Sequence, residues 1–135
     1  MSWCEEEPPP ALLDGIAQFN RGEYFEQHET LELLWRTEQR EVRKLYQGIL
    51  QIGVAFHHLR PCNHHGTVYM LTRGANYLRP LAPACQRVDV AGLLDQAGAT
   101  LAPVQPLGRA RLGEFDSRLA PKVVVLAPPE HRDAR

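Results

Sequence analysis

The feature that most constrains the fold is a long apolar face between residues 41 and 59. Its five members recur at spacings of three and four residues, the repeat that lines one side of an α-helix: Leu45, Ile49, Ile52, Phe56 and Leu59. Further apolar residues lie on other sides of the same helix: Tyr46, Leu50 and Val54. A helix that is apolar on nearly all sides is central in its domain, so the segment predicts a helical bundle built around it.

The neighbouring segments predict four more helices. Their expected bounds are about 11–19, 23–38, 64–78 and 89–101, as judged from apolar periodicity and from glycine, asparagine, aspartate and proline at the ends. We therefore expect an all-α protein with short connections, a compact bundle of about five helices over residues 11–106. An acidic, proline-rich tail (1–10) precedes this domain, and an extended, irregular C-terminal tail (107–135) follows it.

The C-terminal tail contains one strand-like run, from Lys122 to Leu126. Its three consecutive valines favour an extended conformation, but no second strand is visible in the sequence to pair with it. We expect this run to pack on the bundle or to be exchanged with a partner chain.

Composition and charge exclude several classes of function. The formal net charge is −1, whereas a nucleic-acid-binding protein usually carries a basic excess or a basic stripe. No apolar run approaches the roughly 20 residues of a membrane-spanning helix, and the acidic N-terminus is unlike a secretory signal. We therefore expect a cytoplasmic protein that binds neither nucleic acid nor membrane. The cysteines, Cys4, Cys62 and Cys85, have no CxxC spacing, and we expect them to be reduced, outside any disulfide or thiolate metal site.

Residues 25–32 read FEQHETLE, which is similar to the zinc-protease motif HExxH but has Glu32 in place of the second histidine. On a helix, His28, Glu29 and Glu32 fall within a wedge of about a third of the circumference, at the edge of the buried face. Glu26 points further away, toward solvent. The wedge therefore offers one imidazole and two carboxylates to a neighbouring helix.

The predicted central helix carries a matching polar strip. Gln47, Gln51 and His58 lie along one side of it, whereas His57 is rotated by about 100°. A buried polar group without a partner costs about 1–3 kcal/mol, so this strip needs partners. Because the second and third helices join through a short loop and should pack antiparallel, we expect the wedge to face Gln51 and His58.

Three interpretations of this His/Glu/Gln cluster stay open from the residues alone. In the first, the cluster is a structural hydrogen-bond network that fixes the register of the helices. In the second, it is a site for a divalent metal such as Zn, Mn or Fe, held by His28, Glu32 and His58. In the third, it is a metal-free pocket in which His28 or His58 acts as a general base. The sequence matches neither HExxH nor the paired Glu-x-x-His signature of di-iron bundles.

Two nearby patterns have simpler explanations. Asn63 precedes the fourth predicted helix and is expected to cap its N-terminus, with His64 and His65 exposed in the first turn. Residues 12–35 imitate one tetratricopeptide unit, but such repeats need at least about three copies to bury a core, and only one is present.

Three blocks of sequence together resemble the bacterial and archaeal family known as domain of unknown function 309. The blocks are FNRGEYFEQHETLELLW (19–35), YQGILQIGVAFHHLRPCN (46–63), and Gly66 with Leu71. The resemblance covers roughly residues 11–80 and implies a compact all-helical protein, of a family sometimes labelled a predicted metal-dependent hydrolase. It also implies that the polar motif of the family lies at Asn20, Glu26, His28, Glu29, Glu32, Gln47, Gln51, His58 and Asn63. Cys62 is a departure, because the family usually has glycine at that position.

Two functions follow as hypotheses. The first is a metal-dependent hydrolase, in which His28, Glu32 and His58 hold the metal and Glu29 acts as the base on a bound water. The second is a non-enzymatic binding or scaffold protein whose His/Glu/Gln cluster is structural. Such a protein would engage its partners through the helical hairpin or through the surface of a homo-oligomer.

Overall fold

The computed structural model describes residues 2–128. Five helices of 11 to 17 residues form the bundle: α1 (Pro10–Asn20), α2 (Tyr24–Thr37), α3 (Arg43–Leu59), α4 (His64–Leu78) and α5 (Val90–Val104). An antiparallel hairpin of two short strands, β1 (Ala84–Cys85) and β2 (Val88–Asp89), precedes α5, and a single turn, α6 (Gly108–Arg111), follows it. The expected all-α bundle of about five helices is confirmed.

Helix α3 is the centre of the bundle, as its apolar periodicity predicts. Ten of its 17 residues are buried, and Leu45, Ile49 and Ile52 have no exposed surface. It packs between α2 on one side and α4 on the other. None of the helices within residues 2–128 combines the length and the apolar character that crossing a membrane requires.

Glycines allow α3 and α4 to approach each other closely. A Cβ atom added to Gly74 would lie 2.9 Å from the carbonyl oxygen of Gly48 and 2.8 Å from Cγ1 of Ile52, so no side chain fits there. The helix backbones therefore meet directly at this crossing.

The ends of two helices are fixed by side-chain caps. Oδ1 of Asn63 accepts a hydrogen bond from the backbone N–H of Gly66 at 3.0 Å, and Oδ1 of Asp89 accepts one from Gly92 at 2.9 Å. The predicted N-cap Asn63 is thus confirmed, and Asp89 caps α5 in the same way. Between α3 and α4, Cys62 has a φ of 59°, the left-handed conformation that glycine adopts most easily. Cys62 thus occupies a backbone conformation that suits the glycine which the family resemblance implies at this position.

The C-terminal segment returns to the bundle and pairs with β2. The backbone N–H of Asp89 donates to the carbonyl of Val124 at 2.9 Å. The backbone N–H of Leu126 donates to the carbonyl of Arg87 at 2.6 Å. A partner strand therefore exists, contrary to the sequence-based expectation, but at two residues β2 is too short to give a periodic signal. The run packs on its own bundle, which is one of the two predicted arrangements. Residues 129–135 of the predicted tail, and Met1, lie outside the described residues.

The expectation that all three cysteines are reduced is wrong for two of them. Cys4 and Cys85 form a disulfide with an S–S distance of 2.07 Å, although 81 residues separate them along the chain. The backbone N–H of Gln86 donates to the carbonyl of Cys4 at 2.7 Å, so the N-terminal segment is docked against the β hairpin. Only this docking brings the two thiols together, and a spacing rule cannot detect it. Cys62 is free.

Candidate functional site

The polar residue of α2 that faces α3 is Gln27, which the sequence-based prediction did not select. Gln27 is completely buried, and its Nε2 donates to the carbonyls of Leu50 at 3.2 Å and Tyr24 at 3.3 Å. The Gln27 side chain lies over Gly53 of α3, where an added Cβ would be 2.6 Å from Cδ of Gln27. The signal was present in the sequence, because Gln27 lies three residues after Tyr24 and four before Leu31 on the buried stripe.

The predicted wedge on α2 is turned further toward solvent than expected. Glu29 and Glu26 are exposed, whereas His28 and Glu32 are each about one-third exposed. Nε2 of His28 lies 3.9 Å from Oε1 of Glu32, and the other oxygen of Glu32 accepts a hydrogen bond from Arg36 at 3.4 Å. The Glu32 carboxylate therefore interacts along its own helix. Helix α2 is rotated relative to the prediction because Gln27 occupies the place at the centre of the interface.

His58, at the end of α3, is held by Asn63. Oδ1 of Asn63 is already committed to capping α4 through Gly66, which fixes the orientation of the amide group. The amide nitrogen Nδ2 therefore faces Nδ1 of His58 at 3.2 Å and donates a hydrogen bond to it. Because Nδ1 must act as the acceptor, the neutral ring carries its proton on Nε2.

Protonation of His58 is unfavourable for two reasons. Burial lowers the pKa of His58 below its ordinary value, and the neighbouring His57 lowers it further. In addition, an imidazolium would turn an N–H on Nδ1 toward the N–H of Asn63, so the hydrogen bond would be lost. At neutral pH His58 is therefore a neutral hydrogen-bond donor through Nε2.

His28 and His58 meet at a cleft between α2 and α3, which we term the imidazole cleft. It has a volume of about 210 Å³ and is lined by Tyr24, Phe25, His28, Val54, His57 and His58. The rings of Phe25 and His57 are 6.3 Å apart, as are those of His57 and His58. The cleft thus combines aromatic and aliphatic walls with three imidazoles. Sequence spacing had separated His57 from His58, yet both rings line this one cleft.

The three residues predicted to hold a metal are not gathered around one point. Within residues 2–128, no group of three or more His, Cys, Asp and Glu side chains is arranged so that it could hold a metal ion. His28 and His58 line the imidazole cleft, but Glu32 does not. Their role as metal ligands, and that of Glu29 as a base, stays a prediction.

The remaining polar positions of the predicted motif have separate structural environments. Asn20 holds the C-terminal segment, because its Nδ2 donates to the carbonyl of Val123 at 2.9 Å and its Oδ1 accepts from the N–H of Val123 at 2.8 Å. Gln51 is buried, and its Oε1 accepts no hydrogen bond from residues 2–128. Gln47 is half-buried. None of these three residues lines the imidazole cleft with His28 and His58.

Comparison with known proteins finds a family match over part of the helical domain. Residues 12–70 match the family described as Domain of unknown function (DUF309), which confirms the resemblance seen in the sequence. The uncharacterised protein YpuF of Bacillus subtilis (strain 168) is 34% identical over 87 residues, which are 63% of this chain and 48% of that relative. The chain thus spans about half the length of the curated relative it matches. No solved structure gives a significant match.

Proposed function

We propose that this chain, whose residues 12–70 match the DUF309 family, is a non-enzymatic binding protein whose ligand lies in the imidazole cleft. The observation that carries this proposal is the hydrogen bond from Asn63 to Nδ1 of His58. It makes His58 a fixed donor, which suits recognition. The buried amide of Gln27 belongs to the packing of α2 on α3.

The lining of the cleft defines the class of ligand. Phe25, Tyr24 and Val54 supply apolar contact area, and the volume of about 210 Å³ suits a small aromatic or aliphatic group. The Nε2–H of His58 calls for a hydrogen-bond acceptor on that group. A small molecule with an apolar body and one acceptor oxygen meets both requirements.

The same hydrogen bond argues against the metal-dependent hydrolase. A metal on Nε2 of His58 needs the lone pair of that nitrogen, and a neutral ring then carries its proton on Nδ1. That proton would face the N–H of Asn63, and rotating the amide would remove the cap of α4. Glu29, the predicted base, is exposed on α2 and does not line the cleft.

The same tautomer argues against a metal-free reaction in which His58 is the base. A general base needs an unprotonated nitrogen within reach of its substrate. Nδ1 of His58 is occupied by Asn63, and Nε2 carries the proton of the neutral ring. His58 therefore supplies a hydrogen bond to a bound group, and no carboxylate lines the cleft within residues 2–128.

Titration with phenol and benzamide, followed by the NMR signals of the protein, tests the binding function. We expect binding that shifts the side-chain resonances of His57 and His58. The variant Phe25→Ser should weaken ligand binding, whereas Leu33→Ser should not, because only Phe25 lines the cleft. Leu33 is a matched control, since both residues are exposed on α2. Equal binding by both variants, or near-stoichiometric zinc in protein purified without an affinity tag, would contradict the proposal.

A further inference from the structure

A second cleft, which shares Tyr24 with the first, is lined by positive charge. It has a volume of about 280 Å³ and lies where the ends of α1 and α3 meet the C-terminal segment. Its cationic residues, Arg21, Arg60 and Lys122, come from three separate parts of the chain, and none of its lining residues is acidic. We term it the cationic cleft.

Two of the cations are held in position by contacts with the fold. Nη2 of Arg60 donates to the carbonyl of Gly22, and the guanidinium lies 4.9 Å from the centre of the Tyr24 ring. Nζ of Lys122 donates to the carbonyl of Asn20 at 3.0 Å. A guanidinium has five N–H donors and an ammonium three, so both groups keep donors for a ligand. Since both heads are already positioned, binding costs less side-chain entropy.

The charges of the cleft match a dianion. Arg21 is neutralised by Glu23, which accepts hydrogen bonds from its Nε and Nη2 at 3.0 Å each. Within residues 2–128, Arg60 and Lys122 take part in no ion pair, which leaves two uncompensated positive charges. A phosphomonoester carries about −1.5 to −2 charges at pH 7 and three acceptor oxygens. Phe56 and Leu59 line the same cleft and supply an apolar wall beside the charges.

We propose that the cationic cleft binds a small phosphomonoester, with its phosphate between Arg60 and Lys122 and its organic group on Phe56 and Leu59. Arginine and lysine are the side chains that bind phosphate most strongly, through charge-assisted hydrogen bonds. The inference goes beyond the proposed function and does not depend on it, because the two clefts differ in chemistry and can be tested separately.

Isothermal titration calorimetry with three ligands tests the charge and the apolar wall. Phenyl phosphate should bind more tightly than inorganic phosphate because its ring contacts Phe56 and Leu59. The diester methyl phenyl phosphate carries one negative charge fewer, and its affinity should be at least about tenfold lower than that of phenyl phosphate. Absence of phenyl phosphate binding at millimolar concentration, or equal binding of the monoester and the diester, would overturn the proposal.

A matched pair of variants separates the cleft from general charge attraction. Lys122→Gln should weaken phenyl phosphate binding about tenfold. Arg118→Gln removes the same charge from the same segment, but Arg118 pairs with Asp116 outside the cleft, so the affinity should change less than about twofold. Equal loss in both variants would show non-specific attraction and reject the site.

Two further measurements locate and identify the ligand. Backbone amide shifts caused by phenyl phosphate should centre on Asn20, Gly22 and Lys122, and shifts confined to other regions would reject the site. Vesicles that contain phosphatidic acid present a phosphomonoester on a lipid. Binding to these vesicles but not to phenyl phosphate would overturn the assignment to a small molecule.

Discussion

Asn63 donates a hydrogen bond to Nδ1 of His58 across 3.2 Å while its own Oδ1 caps α4. One amide thus links the end of α3 to the start of α4 and sets the tautomer of the ring. Both functions of Asn63 depend on the orientation of that amide, so alanine at this position removes both, whereas aspartate keeps the cap and changes only the contact with His58.

Replacing Asn63 with alanine should lower the free energy of unfolding by about 1–2 kcal/mol, because α4 loses its cap and His58 loses its donor. Asp89→Ala is the matched control, since Asp89 caps α5 in the same way without contacting a histidine. Urea denaturation of both variants gives the comparison. A smaller loss for Asn63→Ala than for Asp89→Ala would contradict a joint role.

Stability should decrease as the pH falls through the titration of His58. Its folded-state pKa is lowered, mainly by burial, so the unfolded chain takes up the proton more readily. This contribution is fully present above about pH 6.5, the ordinary value for histidine, and is lost as the pH falls through the lower folded-state pKa. The variant His58→Gln cannot titrate at this position. Its melting temperature should therefore fall less than that of the wild type between about pH 7.5 and 5.5.

Asn63→Asp should convert His58 into a better metal ligand. One carboxylate oxygen can still cap α4, and the other can accept a hydrogen bond from Nδ1–H, which leaves the lone pair of Nε2 free to bind a metal. We expect zinc affinity at least about tenfold above that of the wild type, measured by competition with a chromophoric chelator. The wild type binding zinc as tightly as the variant would show that the Asn63 hydrogen bond does not restrict metal binding.

The contact between Gln27 and Gly53 should tolerate no added methyl group. Gly53→Ala places a Cβ 2.6 Å from Cδ of the buried Gln27 and should destabilise the protein by about 1–3 kcal/mol. Gly98→Ala is the control, because nothing lies within 4 Å of its Cβ on α5, and it should stabilise the protein by about 0.5–1 kcal/mol. Chemical denaturation measures both, and equal effects would mean that α2 and α3 adjust freely.

Reduction of the Cys4–Cys85 disulfide should lower the free energy of unfolding by about 2–5 kcal/mol, because the bond closes a long loop in the unfolded chain. A thiol assay in denaturant should find one free thiol, that of Cys62, before reduction and three after it. Three thiols in freshly purified protein would show that the disulfide does not form.

Much of the fold was predictable because it depends on local repeats. The apolar face from Leu45 to Leu59 identified the central helix, and Asn63 and Asp89 marked the starts of α4 and α5. The helical period of 3.6 residues decides which side chains share a face, and this can be read directly from their spacing in the sequence. Asn63 and His58 were both identified from the sequence, but their hydrogen bond was not.

The rotation of α2 was not predictable in this way. A rotation of one residue exchanges His28 for Gln27 at the interface, and the choice depends on the space above Gly53. Periodicity defines a stripe about 100° wide but not which residue within it lies opposite a glycine of another helix. Neither Glu32 nor Gln51 lines the imidazole cleft beside His58.

The sequence by itself determined the helices, their order and the central place of α3, because these follow from apolar spacing and capping residues along a continuous segment. Only the tertiary structure decided that Cys4 meets Cys85, that Asn20 holds Val123, and that Arg60 and Lys122 share one cleft. These pairs are joined by packing between segments distant in the chain. Their geometry depends on how the helices are rotated against one another, a quantity that no local pattern contains.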